Sequence, residues 1–139
     1  MREILFRGKR IDNGEWVEGC LLKVTLEGKT AHLIFGDNFS LIGGDVKALS
    51  HALVDPATVG QFTGRRFKGR KCFDGDIIFA KHSRLLVLWD DYFMMWMTYY
   101  MDEHRGRTRF CPLHDICDWE ADGILGNVFD NPNLAEVMK

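Results

Sequence analysis

Turn signals recur so often along this chain of 139 residues that no long helix fits between them. Asn13-Gly14, Glu27-Gly28 and Gly36-Asp37 each follow a short run rich in apolar and β-branched residues. Such runs are typical of strands, and Asn-Gly most readily adopts the two positive φ angles of a type I′ hairpin turn. The sequence therefore predicts an N-terminal antiparallel meander, with strands at Glu3–Ile11, Glu15–Leu26 and Thr30–Phe35.

The second half of the chain repeats this pattern of short apolar runs and glycine turns. Gly64, Gly69 and Gly75 are predicted to punctuate a winding connection, and Arg105-Gly106 a later turn. Strands at short, regular spacing favour an antiparallel β architecture, here a small SH3-like barrel. The remaining strands are predicted at Val46–Ser50, Asp76–Lys81, Arg84–Trp89, Phe93–Met101, Thr108–Phe110 and Ile124–Phe129.

Two dipeptides predict the only helical structure. Asp55-Pro56 and Asn131-Pro132 each place a side-chain acceptor before a proline, which suits the N-cap and first position of a helix. Short helical turns are expected near 55–59 and 131–137. The predicted fold is mainly β, a single domain over 1–139 with a possible subdivision into a meander (1–53) and a barrel (60–139).

Composition limits the classes of function. A net charge of -2 gives no overall basic excess for nucleic acid, although the segment after Pro112 holds six acidic residues against one lysine, so the remainder is net positive. Four cysteines without a regular framework, and no apolar leader, predict reduced thiols and a cytoplasmic protein. The longest apolar run has ten residues, whereas a membrane helix needs about 20. No membrane segment is expected.

Three patches of the sequence carry a family resemblance. The central stretch VDPATVGQFTG leads to FDGDIIF; the opening reads REILFRGKRIDNGEWVEG, and the closing stretch reads ILGNVFDNPNL. In this order they resemble the YopX-like family of small phage and prophage proteins. Phe62 and Phe129 stand where the family has tyrosines, so those positions need bulk more than a hydroxyl. The resemblance implies a shared fold over the whole chain, and the family has no established activity and implies no metal.

The segment Cys111 to Cys117 is a candidate zinc half-site. Cys111, His114 and Cys117 lie at three-residue spacings that allow two thiolates and an imidazole to converge on one ion. A fourth ligand is needed, and His104 or Cys72 could supply it. Free cysteines are more often small buried hydrophobes, so the favoured interpretation is packing without a cofactor.

The run from Arg65 to Lys71 is a candidate nucleic-acid surface. Five positive charges surround one aromatic residue, a mixture that suits phosphate contacts and base stacking. A second basic cluster near the N-terminus extends the patch if it packs nearby, and the alternative is a solvated edge. The residues of this hypothesis are Arg65, Arg66, Phe67, Lys68, Arg70, Lys71, Arg7, Lys9 and Arg10.

The run from Tyr92 to Met101 is apolar at nearly every position. A strand with one face in water alternates, so this strand is predicted to be covered on both faces, by its own domain, by another copy of the chain, or by both. Methionine and aromatic residues suit contact surfaces. The predicted interface consists of Tyr92, Phe93, Met94, Met95, Trp96, Met97, Tyr99 and Tyr100.

A catalytic function is the weakest interpretation of this sequence. It contains no P-loop, G-x-S-x-G or H-E-x-x-H motif, and His82 and Ser83 are adjacent, so they point to opposite faces of a strand. We therefore predict a non-enzymatic binding or assembly module that acts as a homo-oligomer, with a phage or host protein as a possible partner. The alternatives are a nucleic-acid-binding accessory protein and a small zinc-binding protein.

Overall fold

Antiparallel strands make up most of the protein. The computed structural model describes residues 1–36, 53–102 and 107–136, of which 61% lie in strands and 9% in helices, so the predicted mainly β class is confirmed. The strands are β1 (Phe6–Lys9), β2 (Trp16–Leu26), β3 (Lys29–Phe35), β4 (Leu53–Val54), β5 (Gly60–Phe67), β6 (Arg70–Phe73), β7 (Asp76–Ala80), β8 (Ser83–Asp90), β9 (Met95–Asp102), β10 (Arg107–Pro112) and β11 (Ala121–Asn127). No helix in the described ranges is long and apolar enough to cross a membrane.

Both predicted helical turns are confirmed. A 3₁₀ turn spans Pro56–Thr58, and the Asp55 side chain accepts a hydrogen bond from the Ala57 amide, as the acceptor-plus-proline pattern predicts. Helix α1 spans Pro132–Glu136. There the Asn131 side chain accepts from the Asn127 amide instead, so it ties the helix to β11. A further 3₁₀ turn spans Leu113–Asp115.

The chain divides into two compact units, Met1–Phe62 and Thr63–Lys139, and β5 runs from the first into the second. In the first unit the strand order is β4-β3-β2-β1-β5. The meander is therefore present, with Ile34 and Val54 in its core. A Cβ at Gly19 would lie 1.7 Å from the Phe35 carbonyl oxygen, so only glycine allows β2 and β3 to approach there.

The second unit contains the β5–β6 hairpin and an open sheet with the order β10-β9-β8-β7-β11. The closed SH3-like barrel is not formed, because β10 and β11 end this sheet and do not pair with each other in the described part of the chain. Pairing along β11 is also interrupted by two register shifts, as expected for a strand that ends a sheet. The larger core cluster lies on one face of the sheet and includes Ile78, Leu85 and Val87, while a smaller cluster around Ile77 and Ala135 lies on the other face.

Three hairpins close through two-residue turns in which both residues have positive φ, the type I′ geometry. Glu27-Gly28 joins β2 to β3, Lys68-Gly69 joins β5 to β6, and Lys81-His82 joins β7 to β8. The predicted winding connection after Gly64 is therefore wrong, because Lys68-Gly69 closes a hairpin. The type I′ turn predicted at Asn13-Gly14 is also wrong: only Gly14 has a positive φ, and the loop from Ile11 to Gly14 has four residues.

Strand β4 and the 3₁₀ turn at Leu113–Asp115 were not predicted, so the prediction of only two helical turns is wrong. Other differences are at strand ends and in segments outside the described residues. The strand predicted from Phe93 begins at Met95, and the one predicted at Ile124–Phe129 spans Ala121–Asn127. The predicted strand at 46–50, the turn at 105–106 and the C-terminal end of the helical turn near 137 lie outside the described residues.

The Lys81-His82 turn generates a stability prediction. Both residues have left-handed backbone angles, with φ of 52° and 60°, which cost a non-glycine residue about 1–2 kcal/mol. Replacing His82 with glycine is therefore expected to raise the free energy of unfolding by about 1 kcal/mol in urea denaturation. His82→Ala is the matched control, since it removes the same exposed side chain but keeps the Cβ. An equal gain in both variants would contradict this explanation.

Candidate interaction surface

The turn between β8 and β9 is organised by one carboxylate. Oδ1 of Asp90 accepts hydrogen bonds from the amides of Tyr92 and Phe93, both at 2.9 Å. Its Oδ2 accepts from the Tyr99 hydroxyl at 2.5 Å. An aspartate that accepts from amides two and three residues on is the usual device of a tight turn. Asp90 therefore fixes two consecutive aromatic residues to the end of the sheet.

Four rings form a continuous group at this turn, which we call the aromatic cluster: Tyr92, Phe93, Tyr99 and Phe110. The rings of Tyr92 and Phe93 meet edge to face with centroids 5.0 Å apart. Phe110 lies 5.7 Å from Phe93 and 6.3 Å from Tyr99. These separations are those of favourable aromatic pairs. The cluster is thus an ordered feature and not a set of independent side chains.

The aromatic cluster is largely exposed. Tyr92 is 87% exposed, Phe93 42% and Phe110 55%, and the neighbouring Met94 is 70% exposed. Met94 also has a φ of 54°, in the left-handed region that favours glycine. Large apolar side chains grouped in this way on a surface commonly mark a site of protein contact.

The register of the sheet places the cluster beside a covered area. Ile77 of β7 lies opposite Leu86 of β8, Leu86 opposite Tyr99, and Tyr99 opposite Phe110, so all four share one face. Helix α1 covers the first two, since Ala135 and Leu134 pack with Ile77 and Leu86. The face is therefore buried on its β7–β8 side and exposed at β10.

Both partners of the Asp90–Tyr99 hydrogen bond have shifted pKa values. The Tyr99 hydroxyl, followed by the two backbone amides, lowers the pKa of the Asp90 carboxyl below its ordinary value of 3.8. Desolvation, followed by the hydrogen bond to Asp90, raises the pKa of Tyr99 to about 12. At neutral pH the turn therefore holds an ionised carboxylate and a protonated phenol, which is the pairing that the hydrogen bond requires.

The predicted interface residues divide into three groups. Tyr92, Phe93 and Met94 lie in the turn, so the assumption that the whole run is one strand is wrong. Met97 is 2% exposed, and Met95 and Tyr99 are half-buried. The other members, Trp96 and Tyr100, pack against the core on the opposite face.

Two residues of this candidate surface, Phe110 and Asp90, were not identified from the sequence. Phe110 lies on β10, eleven positions beyond Tyr99, and only strand pairing brings the two together. Asp90 is the first residue of a pair of aspartates before an aromatic pair, which signals a side-chain-capped turn. The sequence therefore contains a signal for the role of Asp90, but it contains none for the position of Phe110 beside Tyr99.

The basic run lies on the β5–β6 hairpin, and its residues differ in their contacts and in their burial. Arg65 donates to the carbonyl of Ile116 and the carboxylate of Asp118, both at 2.8 Å, so it anchors the loop after β10. Phe67 is 1% exposed and lies in the core, so it offers no surface for stacking bases. Arg66, Lys68 and Arg70 are exposed, and Lys71 is half-buried.

The second basic cluster belongs to the first unit. Arg7 and Lys9 both lie over the ring of Trp16, at 4.6 and 5.5 Å from its centroid. The Arg10 guanidinium bonds the Asp12 carboxylate at 2.6 Å, which raises the pKa of Arg10 and lowers that of Asp12. These contacts are local to the β1–β2 hairpin.

The candidate zinc ligands are separated by their packing. Cys111 is half-buried with its sulfur 3.0 Å from the Thr98 hydroxyl, while His114 and Cys117 are exposed. Leu113 and Ile116 enter the core between them, and this sets the shape of the loop. The described ranges contain no group of three or more side chains that could hold a metal ion. Of the two candidates for a fourth ligand, Cys72 is buried in the core and His104 lies outside the described ranges.

The family assignment covers nearly the whole chain. Residues 5–136 match the family model described as YopX protein. The chain belongs to the YopX family. The comparison with curated proteins and the comparison with solved structures both returned no match. The predicted family is therefore confirmed, and the match spans both units of this YopX chain.

The Asp90–Tyr99 contact predicts a measurable change in pKa. Tyr99→Phe removes the largest cause of the lowered value, so the pKa of Asp90 is expected to rise toward its ordinary value in a carbon-13 NMR titration. Because the folded value is the lower one, the carboxylate stabilises the turn above the ordinary pKa and loses this effect as pH falls through the lowered pKa.

Tyr100→Phe is the control for this titration. It removes a hydroxyl at the next position, whose ring packs on the other face of the sheet. We expect it to leave the Asp90 titration unchanged. A Tyr99→Phe variant whose Asp90 titrates as in the wild type would contradict the assigned role of the hydroxyl.

Proposed function

We propose that this YopX-family protein is a non-catalytic binding and assembly module that acts as a homo-oligomer through the aromatic cluster. The observation that carries the proposal is the set of ring contacts among exposed side chains around Asp90. A phage or prophage role, and action in the cytoplasm, are part of the proposal, and a phage or host protein is a possible further partner.

Pre-organisation supports a contact role for the cluster. Binding ordinarily costs about 0.5–1.5 kcal/mol for each side chain that it immobilises. The rings of the cluster already contact one another, and hydrogen bonds fix the backbone that carries Tyr92 and Phe93. Association therefore costs less side-chain and backbone entropy than it would for mobile residues. Tyrosine, of which the cluster contains two, is also among the residues that most often dominate interface energies.

Phe110 provides the direct test. Phe110→Ser removes a ring that contacts both Phe93 and Tyr99 and is expected to raise the dissociation constant of the oligomer about tenfold or more. Sedimentation equilibrium measures this constant. Trp119→Ser is the matched control, because Trp119 is 82% exposed and lies outside the cluster. A wild-type protein that stays monomeric at the highest attainable concentration would refute the homo-oligomer.

A second candidate function is nucleic-acid binding by the tip of the β5–β6 hairpin. The supporting observation is the exposure of Arg66, Lys68 and Arg70 on one short hairpin. Phe67 is buried, so base stacking on its ring is no longer part of the hypothesis. The exposed cations can still contact phosphates, which needs no base stacking. Binding of this kind is electrostatic and depends steeply on salt.

Lys68→Gln tests this candidate against a matched lysine. Lys68 and Lys81 both occupy the first position of a type I′ turn, with φ of 51° and 52°. If the hairpin contacts phosphates, Lys68→Gln weakens binding to a DNA or RNA oligonucleotide and lowers the salt slope by about 1, measured by fluorescence anisotropy. Lys81→Gln is expected to change neither. Equal effects of the two variants, or binding without salt dependence, would contradict the candidate.

A further inference from the structure

Strand β2 continues beyond its neighbour on one side. β1 pairs with β2 only through Trp16 to Gly19, while β3 pairs with β2 from Cys20 to Leu26. The segment Cys20–Leu26, which we call the free edge, therefore has β3 on one side and no described strand on the other. A strand in this position presents backbone donors and acceptors to any chain that can pair with it.

The side chains of the free edge favour pairing. Its sequence, CLLKVTL, has one charge and neither proline nor glycine, and it is rich in β-branched and aliphatic residues. Leu22, Val24 and Leu26 share one face, and Leu22 is 46% and Leu26 71% exposed. Short segments with this composition are those that most readily pair with a copy of themselves.

Each strand that ends a sheet in the described ranges carries a feature that hinders pairing. Charged side chains, proline, shortness and bulges all protect sheet edges from unwanted pairing. Strand β4 has two residues, β6 begins with Arg70 and Lys71, and β11 contains two register shifts. Strand β10 carries Arg109 and ends at Pro112. The free edge has one feature of this kind, the charge of Lys23.

We propose that the free edge is a self-association site, at which β2 of one copy pairs antiparallel with β2 of a second copy. Side chains directly opposite one another decide the register. A pair centred on Lys23 would place two lysines together. A pair centred on Val24 places Leu22 opposite Leu26, with Lys23 opposite Thr25, so apolar side chains meet and like charges do not. The Val24-centred register is therefore the one proposed.

This site goes beyond the aromatic cluster and does not rest on it. The free edge belongs to the first unit and the aromatic cluster to the second. Phe110→Ser removes the proposed contact in the second unit, so association through the free edge is measured in that variant. A wild-type protein that stays monomeric would overturn both proposals. If the protein does associate, a Phe110→Ser variant with an unchanged dissociation constant fails the aromatic cluster alone, and an unchanged constant for Val24→Lys fails the free edge alone.

Disulfide trapping tests the register. Directly opposed residues of an antiparallel pair have Cα atoms about 4.5–5.5 Å apart, within the range that a disulfide spans. Val24→Cys is made in a full-length variant whose exposed cysteines, Cys20 and Cys117, are serine. Mild oxidation is expected to give a disulfide-linked dimer. Lys23→Cys, whose two copies would lie diagonally, is expected to link at least tenfold more slowly. Equal rates, or no linked dimer from Val24→Cys, overturn the proposal.

A charge variant gives a second, independent readout. Val24→Lys would bring two lysines together at the centre of the pair and is expected to raise the dissociation constant at least tenfold in the Phe110→Ser background. Ile11→Lys makes the same kind of change, from a β-branched aliphatic residue to lysine, at an exposed position in the loop before β2, and is expected to leave the constant unchanged. Circular dichroism confirms that both variants fold. A wild-type constant for Val24→Lys, or an equal loss in Ile11→Lys, overturns the proposal.

Discussion

Paired positive φ angles in two-residue turns fix the strand registers on which both units depend. Glu27-Gly28, Lys68-Gly69 and Lys81-His82 leave no spare residue between the strands that they join. A shift of one residue in such a hairpin would move every apolar side chain to the opposite face. The turns thus decide which residues enter the core and which face outward. At Lys81-His82 the turn has this geometry although neither residue is glycine. The pairing of β7 with β8 offsets the unfavourable backbone energy of the two residues.

Strand register also assembles the aromatic cluster, and of the turns named above Lys81-His82 joins two of the strands involved. The register places Ile77, Leu86, Tyr99 and Phe110 in one row across four strands, and α1 covers only the first two. The longer turn after β8 then adds Tyr92 and Phe93 to the exposed end of this row. Asp90 holds that turn through two amides and a phenol, so an ionised carboxylate orders an otherwise apolar surface.

Local chemistry explains which predictions from sequence succeeded. Asp55-Pro56 specifies its helical turn through a side chain and a ring within the same four residues, so no distant contact is needed. The prediction that a strand begins at Phe93 was wrong because the start of this strand depends on contacts outside the run after Tyr92. Its composition is uniformly apolar, and the break before Met95 depends on Asp90 and on the left-handed backbone of Met94. Phe67 is similar, since a residue within a basic run gives no sign that it points into the core.

The family signature is explained by packing constraints. A Cβ at Gly126, in the closing patch ILGN, would lie 2.1 Å from the Asn131 side chain, and Asp76, which follows Gly75, accepts from the Phe73 amide while 1% exposed. Such residues have a structural role in the scaffold. The contact surface proposed here is instead carried by exposed rings that the sheet and one carboxylate hold in place.

Hydroxyl-radical footprinting over a range of protein concentrations tests the central claim most directly. It reports the solvent exposure of individual aromatic side chains in the unmodified protein. If the aromatic cluster is a contact surface between copies, oxidation of Tyr92, Phe93 and Phe110 decreases as concentration rises, while oxidation of the exposed Trp119 stays constant. Oxidation of the cluster that is independent of concentration, or that changes in parallel with Trp119, would contradict the account.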